Sequence, residues 1–124
     1  MPFTIAAFAA RKEGVSPAQF QEQYEKHLNL LRETVGSTFP QSAVRHYVKR
    51  SKQDPTGEKP LSFTGSEETF GYDVVVFYNF ADEAAAEEFQ KKYEESQGQL
   101  AADYGAFGKL DNFRVIAFED AISS

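Results

Sequence analysis

The sequence predicts an α+β fold in which a four-stranded antiparallel sheet carries two helices on one face. Four short apolar segments are typical of strands, two longer amphipathic segments are typical of helices, and both halves of the chain have the order strand–helix–strand. The combined order βαββαβ is the ferredoxin-like arrangement. With 124 residues, of which 41% are hydrophobic, the chain is long enough for a single domain with a substantial core.

The first strand and the first helix have clear local signals. Residues 3–10 are apolar at both alternating sets of positions, as expected for a strand that is covered on both faces. Ser16 is a favourable N-cap, Pro17 suits the first helical position, and Gln19 completes a capping box. Apolar residues then recur at helical spacing, and we expect this helix to end near Thr34.

A second strand and a long loop follow. Residues 43–50 alternate between two sets of side chains, which predicts a strand. Residues 51–70 are rich in Gly, Pro, Ser, Thr and acidic residues and show no clear periodicity. We interpret them as a loop within the domain, because neither flank could fold alone, and loops of this length are typically functional or mobile.

The second half of the chain repeats the order of the first. Residues 73–80 form the most apolar of the predicted strands. Asp82 is a good cap for a second helix, whose pattern continues loosely to Tyr104 with a possible break near Gly98. Residues 112–118 are predicted to form the last strand.

The strands are apolar on both sides, yet two helices can cover only one face of the sheet. The other face therefore needs a partner, and a second copy of the same sheet is the simplest one. This reasoning predicts a homodimer joined sheet to sheet, a dimeric α+β barrel. The alternative is that a long loop covers the second face.

Composition excludes several classes of function. The net charge of −6 argues against a nucleic-acid-binding surface, and the absence of Cys excludes disulfides, thiolate nucleophiles and Cys-based metal sites. No apolar segment approaches the roughly 20 residues that span a bilayer, and the first residues lack the basic segment of a signal peptide. We therefore expect a cytoplasmic protein without nucleic-acid or membrane partners.

His27 is the leading candidate for a catalytic residue. It lies seven residues after Phe20 and three after Tyr24, and it therefore points with them toward the apolar side of the first helix. Histidine can give or take a proton near neutral pH. The alternative is a core histidine that only hydrogen-bonds a neighbour. The other histidine, His46, shares a strand face with Val44 and fits a sheet-face contact, and no metal-binding constellation stands out.

Four further polar residues are candidates for substrate binding. Arg45 and Tyr47 share one face of the second strand and would line the same cavity as His27 if that face looks toward the helices. Arginine could hold a carboxylate or a phenolate there. Tyr72 could orient a phenol, and Asp73 could fix the tautomer of a nearby imidazole. Each of these four residues also has a structural explanation, as a residue at the edge or the start of a strand. Arg11 and Lys12 are interpreted as ordinary surface charge.

Several of these residues belong to a pattern that resembles the opening of an EthD-type domain. The pattern consists of residues 8–17, FAARKEGVSP, followed by Phe20, Tyr24 and His27. Further similar segments are Phe39-Pro40, residues 45–50, Tyr72-Asp73 and residues 80–82. The resemblance covers most of the chain except residues 51–70, so that residues 1–124 are identified as a single EthD-like domain.

One late motif departs from the family pattern. Phe107 occupies the place of an aromatic residue that the family follows with Asp, but Gly108 follows it here and the nearest acid is Asp111. The resemblance implies the dimeric α+β barrel and a small, cofactor-independent protein of catabolic or natural-product pathways. Several fungal members act on aromatic polyketides as decarboxylases, dehydratases or cyclases.

Together, these observations predict a lyase or cyclase that acts on an aromatic or polyketide-derived molecule. His27 would serve as general acid/base, and the substrate would bind between the helices and the sheet, among aromatic residues such as Tyr24 and Phe107. A first alternative is a monooxygenase of the same barrel superfamily, either cofactor-free or with His27 as axial ligand of a haem. A second alternative is a non-catalytic small-molecule binding protein.

Overall fold

The structure is a computed structural model that describes residues 1–65 and 70–123. Its elements are β1 (Phe3–Ala9), α1 (Pro17–Val35), a 3₁₀ turn (Gly36–Thr38), β2 (Ser42–Tyr47), β3 (Val74–Phe80), α2 (Glu83–Glu95), α3 (Gln97–Gly105) and β4 (Arg114–Phe118). The four strands form one sheet in the order β2-β3-β1-β4, and every neighbouring pair is antiparallel. The predicted α+β, ferredoxin-like βαββαβ fold is confirmed.

The register of the sheet decides which residues face the helices. Ala7 on β1 lies opposite Val76 and Val115, and Val76 in turn lies opposite Arg45. Because side chains alternate along a strand, these four residues share one face. Core residues on this face and on the helices pack together: Ala7, Ala9, Phe20, Tyr24, Leu28, Leu31, Val35, Val74, Val76, Tyr78, Phe80, Ala86, Phe89, Leu100, Tyr104 and Phe107.

The start of α1 follows its sequence signals closely. The Ser16 hydroxyl accepts a hydrogen bond from the backbone N–H of Gln19 at 3.1 Å, and the Gln19 side chain accepts one from the backbone N–H of Ser16 at 3.0 Å. The predicted capping box is therefore present. The helix ends at Val35, and Gly36 follows with a φ of 58°, a left-handed backbone value that favours glycine.

The second helical segment differs from the prediction in one respect. The chain breaks at Ser96 rather than near Gly98, and this break produces two helices, α2 and α3. The backbone N–H of Ser96 bonds to the carbonyl of Tyr93 at 3.1 Å, a tighter spacing than that of an α-helix. The change of direction lets α3 pack its own apolar residues, Leu100 and Tyr104, into the core.

β2 is shorter than predicted, and it ends at Tyr47 rather than at residue 50. Beyond it, the N–H of Val48 still bonds to the carbonyl of Asp73 at 3.0 Å, while Arg50 pairs with Pro60 in an isolated bridge. The chain therefore leaves the sheet gradually and turns back on itself at the start of the long loop.

The sheet face that points away from the helices carries apolar side chains, as the sequence predicts. Val44, Ile116 and Phe118 lie on it and are 46%, 50% and 44% exposed. His46 lies on the same face, with its ring centroid 6.2 Å from that of Phe77. In the part of the chain that the structure describes, no helix is both long and apolar enough to cross a membrane.

Candidate functional site

His27 forms a hydrogen-bonded pair with an acidic residue that sequence reasoning missed. Its Nδ1 lies 2.8 Å from Oδ2 of Asp103, which joins α1 to α3. A carboxylate can only accept a hydrogen bond, and the shared proton is therefore assigned to Nδ1. The His27 side chain is 10% exposed and that of Asp103 is 45% exposed, so the pair lies where the two helices meet the solvent.

The other ring nitrogen of His27, Nε2, is the atom left for chemistry. It makes no hydrogen bond within residues 1–65 and 70–123. In this part of the chain, two side-chain nitrogen or oxygen atoms are both enclosed by protein and without a hydrogen-bond partner, Arg50 Nε and Asn112 Oδ1. Nε2 of His27 is not one of them, so it is accessible to solvent. A histidine held in this way has one nitrogen anchored by a carboxylate and the other free to transfer a proton.

Three aromatic rings surround the imidazole. The ring centroids of Tyr24, Tyr104 and Phe107 lie 5.9, 5.8 and 6.1 Å from that of His27. Tyr104 also donates a hydrogen bond from its hydroxyl to the carbonyl of Ala10 at 3.2 Å, which ties α3 to the end of β1. Burial raises the pKa of Tyr104 to about 12, so this ring stays neutral beside the imidazole.

Asp103 has a weak sequence signal that becomes clear once α3 is known. It lies three residues after Leu100 and one before Tyr104, both buried, and it therefore stands at the edge of the apolar stripe. The prediction that Asp73 fixes the imidazole tautomer is wrong, because Asp103 occupies that position.

Arg45 and Tyr47 do face the helices, as the prediction required, but they bind Glu25 there. Arg45 donates from Nε and Nη2 to the two carboxylate oxygens of Glu25 at 2.9 and 2.5 Å, and the Tyr47 hydroxyl donates to the same carboxylate at 2.6 Å. The hydrogen bonds from Arg45 lower the pKa of Glu25. Burial first, and then the bond to Glu25, raise the pKa of Tyr47.

These two residues do not share a cavity with His27. Glu25 and His27 are two positions apart on α1, which places their side chains roughly 200° apart around the helix axis. Arg45 and Tyr47 therefore lie along the flank near β2, whereas His27 lies along the flank near α3. The structure separates the predicted substrate-binding residues into different places.

Tyr72 and Asp73 belong to a third cluster, at the loop end of the sheet. Asp73 accepts hydrogen bonds from the backbone N–H of Arg11 at 2.8 Å, from Arg11 Nε at 3.2 Å and from Arg50 Nη2. Arg11 also contacts Glu58 at 2.6 Å. The prediction that Arg11 is surface charge is wrong: its side chain is 22% exposed and joins the β1–α1 turn to the long loop.

A cavity of about 400 Å³ adjoins this third cluster. It is lined by Ala10, Arg11, Lys12, Glu13, Gly14, Arg50, Glu58, Pro60, Phe70, Gly71, Tyr72, Asp73 and Lys109. His27 does not line it. The space between the helices and the sheet, where the sequence predicted the substrate, is instead filled by core side chains such as Phe20 and Tyr24.

The site offers no obvious place for a metal ion. Within the described ranges, no group of three or more His, Cys, Asp or Glu residues is arranged to hold one.

Comparisons with known proteins agree with this architecture. A family model of the EthD domain matches residues 12–110. The structure resembles the Arabidopsis thaliana protein At3g17210, with a TM-score of 0.62, 16% identity and 98% coverage of both chains. No curated protein matches the sequence.

Two bacterial structures are also similar. A dimeric ferredoxin-like protein of unknown function from Thermobifida fusca has a TM-score of 0.53 and 13% identity, with 95% of this chain and 90% of that chain covered. SnoaB, a cofactor-independent oxygenase from Streptomyces nogalater, has a TM-score of 0.52 and 13% identity, with 98% and 95% covered. At such low identity these likenesses show the fold alone.

Proposed function

This chain belongs to the EthD family, and on that basis we propose that it is a small-molecule enzyme that uses His27 for proton transfer. The reaction class that we propose is a lyase or cyclase reaction, of the decarboxylase or dehydratase type, on an aromatic or polyketide-derived molecule. The observation that carries the proposal is the 2.8 Å contact between His27 and Asp103, which leaves Nε2 free. The proposal requires no cofactor.

The pair fits the proton bookkeeping of such a reaction. In a decarboxylation, the carbon–carboxylate bond breaks, carbon dioxide leaves, and protonated Nε2 of His27 delivers a proton to the carbanion. In a dehydration, neutral Nε2 takes a proton from the carbon next to the one that bears the hydroxyl, the C–O bond breaks, and the same nitrogen returns that proton to the hydroxyl, which leaves as water. Asp103 holds the ring in one orientation and stabilises the imidazolium while the ring carries both protons. Positioned acid/base groups typically contribute about 10²–10⁴-fold in rate.

The surrounding residues take supporting roles in this proposal. Tyr24 and Phe107 pack beside the imidazole and are 1% and 5% exposed, so a substrate ring would contact them only if it displaced core side chains around them. Tyr72 and Asp73 stay predicted substrate-binding residues, although they line the cavity at the loop end of the sheet, which His27 does not line. Arg45 and Tyr47 would reach a substrate only if it displaced Glu25 from them.

We also propose that the protein forms a homodimer through its open sheet face. Val44, Ile116 and Phe118 expose apolar surface there that a second sheet would cover. The description of the similar Thermobifida fusca protein as dimeric supports this proposal. Sheet-to-sheet packing would leave the helix side, with His27 and Asp103, accessible to solvent.

The test is turnover of a panel of hydroxylated aromatic carboxylic acids, followed by carbon dioxide release and mass spectrometry. We expect His27→Gln to lower kcat by on the order of 10²-fold or more and Asp103→Asn by about 10–100-fold. His46→Gln, on the opposite sheet face, is the matched control and should leave the rate unchanged. Turnover by His27→Gln at the wild-type rate would overturn the proposed role of His27.

A second candidate function is a cofactor-independent oxygenase, which the similarity to SnoaB supports. The same substrate panel distinguishes the oxygenase from the lyase. An oxygenase consumes dioxygen and adds oxygen to the product, whereas a decarboxylase releases carbon dioxide and consumes no dioxygen. Ligands that bind the wild-type protein and are recovered unchanged would favour the non-catalytic binding function.

A further inference from the structure

The cavity at the loop end of the sheet has an unusual charge for this protein. Four of its lining residues are cations, Arg11, Lys12, Arg50 and Lys109, and three are acids, Glu13, Glu58 and Asp73. Among the described residues that line the cavity, positive groups thus outnumber negative groups by one, although the whole chain has a net charge of −6. A positive site within an acidic protein favours an anionic ligand locally.

The strongest acid–base contacts in this cavity hold its frame in place. Asp73 fixes both Arg11 and Arg50, and Glu58 fixes Arg11 from the loop side. Arg50 also donates from Nη1 to the carbonyl of Glu58 at 3.0 Å. Because these contacts link the β1–α1 turn, the residue before β3 and the long loop, the two guanidinium groups are preorganised rather than free to move.

After these contacts, four side-chain donors among the described residues of the cavity have no partner, and one of them, Arg50 Nε, is enclosed by protein. Arg11 Nη2, the Tyr72 hydroxyl and Lys109 Nζ make no hydrogen bond or ion pair within residues 1–65 and 70–123. Both oxygens of Asp73 are already occupied. The cavity therefore offers unused donors of two kinds, charged and phenolic, on a fixed frame.

The cavity also has an aromatic wall. The Tyr72 ring lies 5.5 Å from that of Phe8 and 6.2 Å from that of Phe70, and Phe70 itself lines the cavity. A volume of about 400 Å³ falls within the usual range of roughly 300–1,000 Å³ for small-molecule sites. A planar ring can therefore stack on this wall.

We propose that this cavity binds a small aromatic monocarboxylate. Arg11 Nη2 and Lys109 Nζ donate to the carboxylate, the Tyr72 hydroxyl donates to an oxygen on the ligand, and the ring lies along Tyr72 and Phe70. The aromatic wall favours a ligand with a planar ring over an inorganic anion such as phosphate, which cannot stack on Tyr72 and Phe70. This binding site is separate from the His27–Asp103 pair.

The test is calorimetric titration with 2-naphthoate, with uncharged 2-naphthamide as the matched ligand. We expect Lys109→Gln and Tyr72→Phe each to raise the Kd of 2-naphthoate by about 3–10-fold, because each loses one donor to the ligand. Lys109→Gln should leave the Kd of 2-naphthamide unchanged. Lys91→Gln, on the exposed face of α2, is the control and should change neither Kd.

Three results would overturn the proposal. The wild-type protein could fail to bind 2-naphthoate saturably, it could bind both ligands equally well, or the cavity variants could bind like Lys91→Gln. His27→Gln separates this proposal from the proposed function. That variant should bind 2-naphthoate normally even where turnover is lost, and the two proposals can therefore fail independently.

Discussion

Replacement of Gly108 by alanine is expected to destabilise the protein because the ring of Tyr104 lies against this glycine. A Cβ at position 108 would come within 2.3 Å of two ring atoms of Tyr104, far inside van der Waals contact. The N–H of Gly108 bonds to the carbonyl of Tyr104 at 2.7 Å, which prevents the turn from moving away easily. The ring must therefore be displaced.

The cost can be estimated from what the displacement breaks. Overpacking of a core site costs roughly 1–3 kcal/mol, and loss of the Tyr104 hydrogen bond to Ala10 costs about 1 kcal/mol. The sum is about 2–4 kcal/mol, which for a chain of this size lowers Tm by roughly 10 °C. Because Tyr104 also touches His27, we expect the ring resonances of His27 to shift.

The assay is thermal unfolding followed by circular dichroism, with Gly98→Ala as the matched control. Gly98 lies in α3 with nothing within 4 Å of its Cβ position. Alanine there should leave Tm unchanged or raise it, because the higher helix propensity of alanine adds up to about 1 kcal/mol to the free energy of unfolding. A Gly108→Ala protein as stable as the wild type would refute the packing argument.

Three further predictions concern charge and assembly. Arg45→Met should lower the free energy of unfolding by at most about 1 kcal/mol at neutral pH. Because Arg45 lowers the pKa of Glu25, this stability difference should vanish as the pH falls through that pKa, which urea unfolding at a series of acid pH values would measure. Burial raises the pKa of Tyr104 to about 12, so between pH 10 and 12 the unfolded state loses this proton while the folded state keeps it. The stability difference between the wild type and Tyr104→Phe should therefore shrink as the pH rises, by up to about 1.4 kcal/mol per pH unit, and a difference that does not change with pH would contradict the burial. Ile116→Asp should convert a dimer into a monomer in light scattering, whereas Ile122→Asp, in the exposed tail, should not; a monomeric wild type would contradict the proposed dimer.

The parts of the fold that the sequence predicted well depend on local signals. The capping box at Ser16 and Gln19 is a contact between residues three apart, and local chemistry alone specifies it. The strands are apolar on both faces, because side chains alternate along each strand whatever its partner is. Since two helices cover one face, the sequence also predicts an exposed apolar face, as the structure has it.

The features that the sequence did not reveal depend on contacts between distant segments. Asp103 is 76 positions from His27, and only the turn at Ser96 directs α3 so that the two meet. Arg11 looks like surface charge until Asp73, 62 positions away, is placed beside it. Gly108 departs from the family pattern, and only the structure shows that the Tyr104 ring occupies the space beside it.

The orientation of His27 by Asp103 is tested most directly by nitrogen-15 NMR of the two histidine rings. If the carboxylate of Asp103 accepts the proton of Nδ1, neutral His27 must be the Nδ1–H tautomer, with Nε2 as the nitrogen that gains a proton on acidification. Asp103→Asn should weaken that preference, and the ring of His46 should not respond. A neutral His27 protonated on Nε2, or one indifferent to Asp103→Asn, would contradict the account.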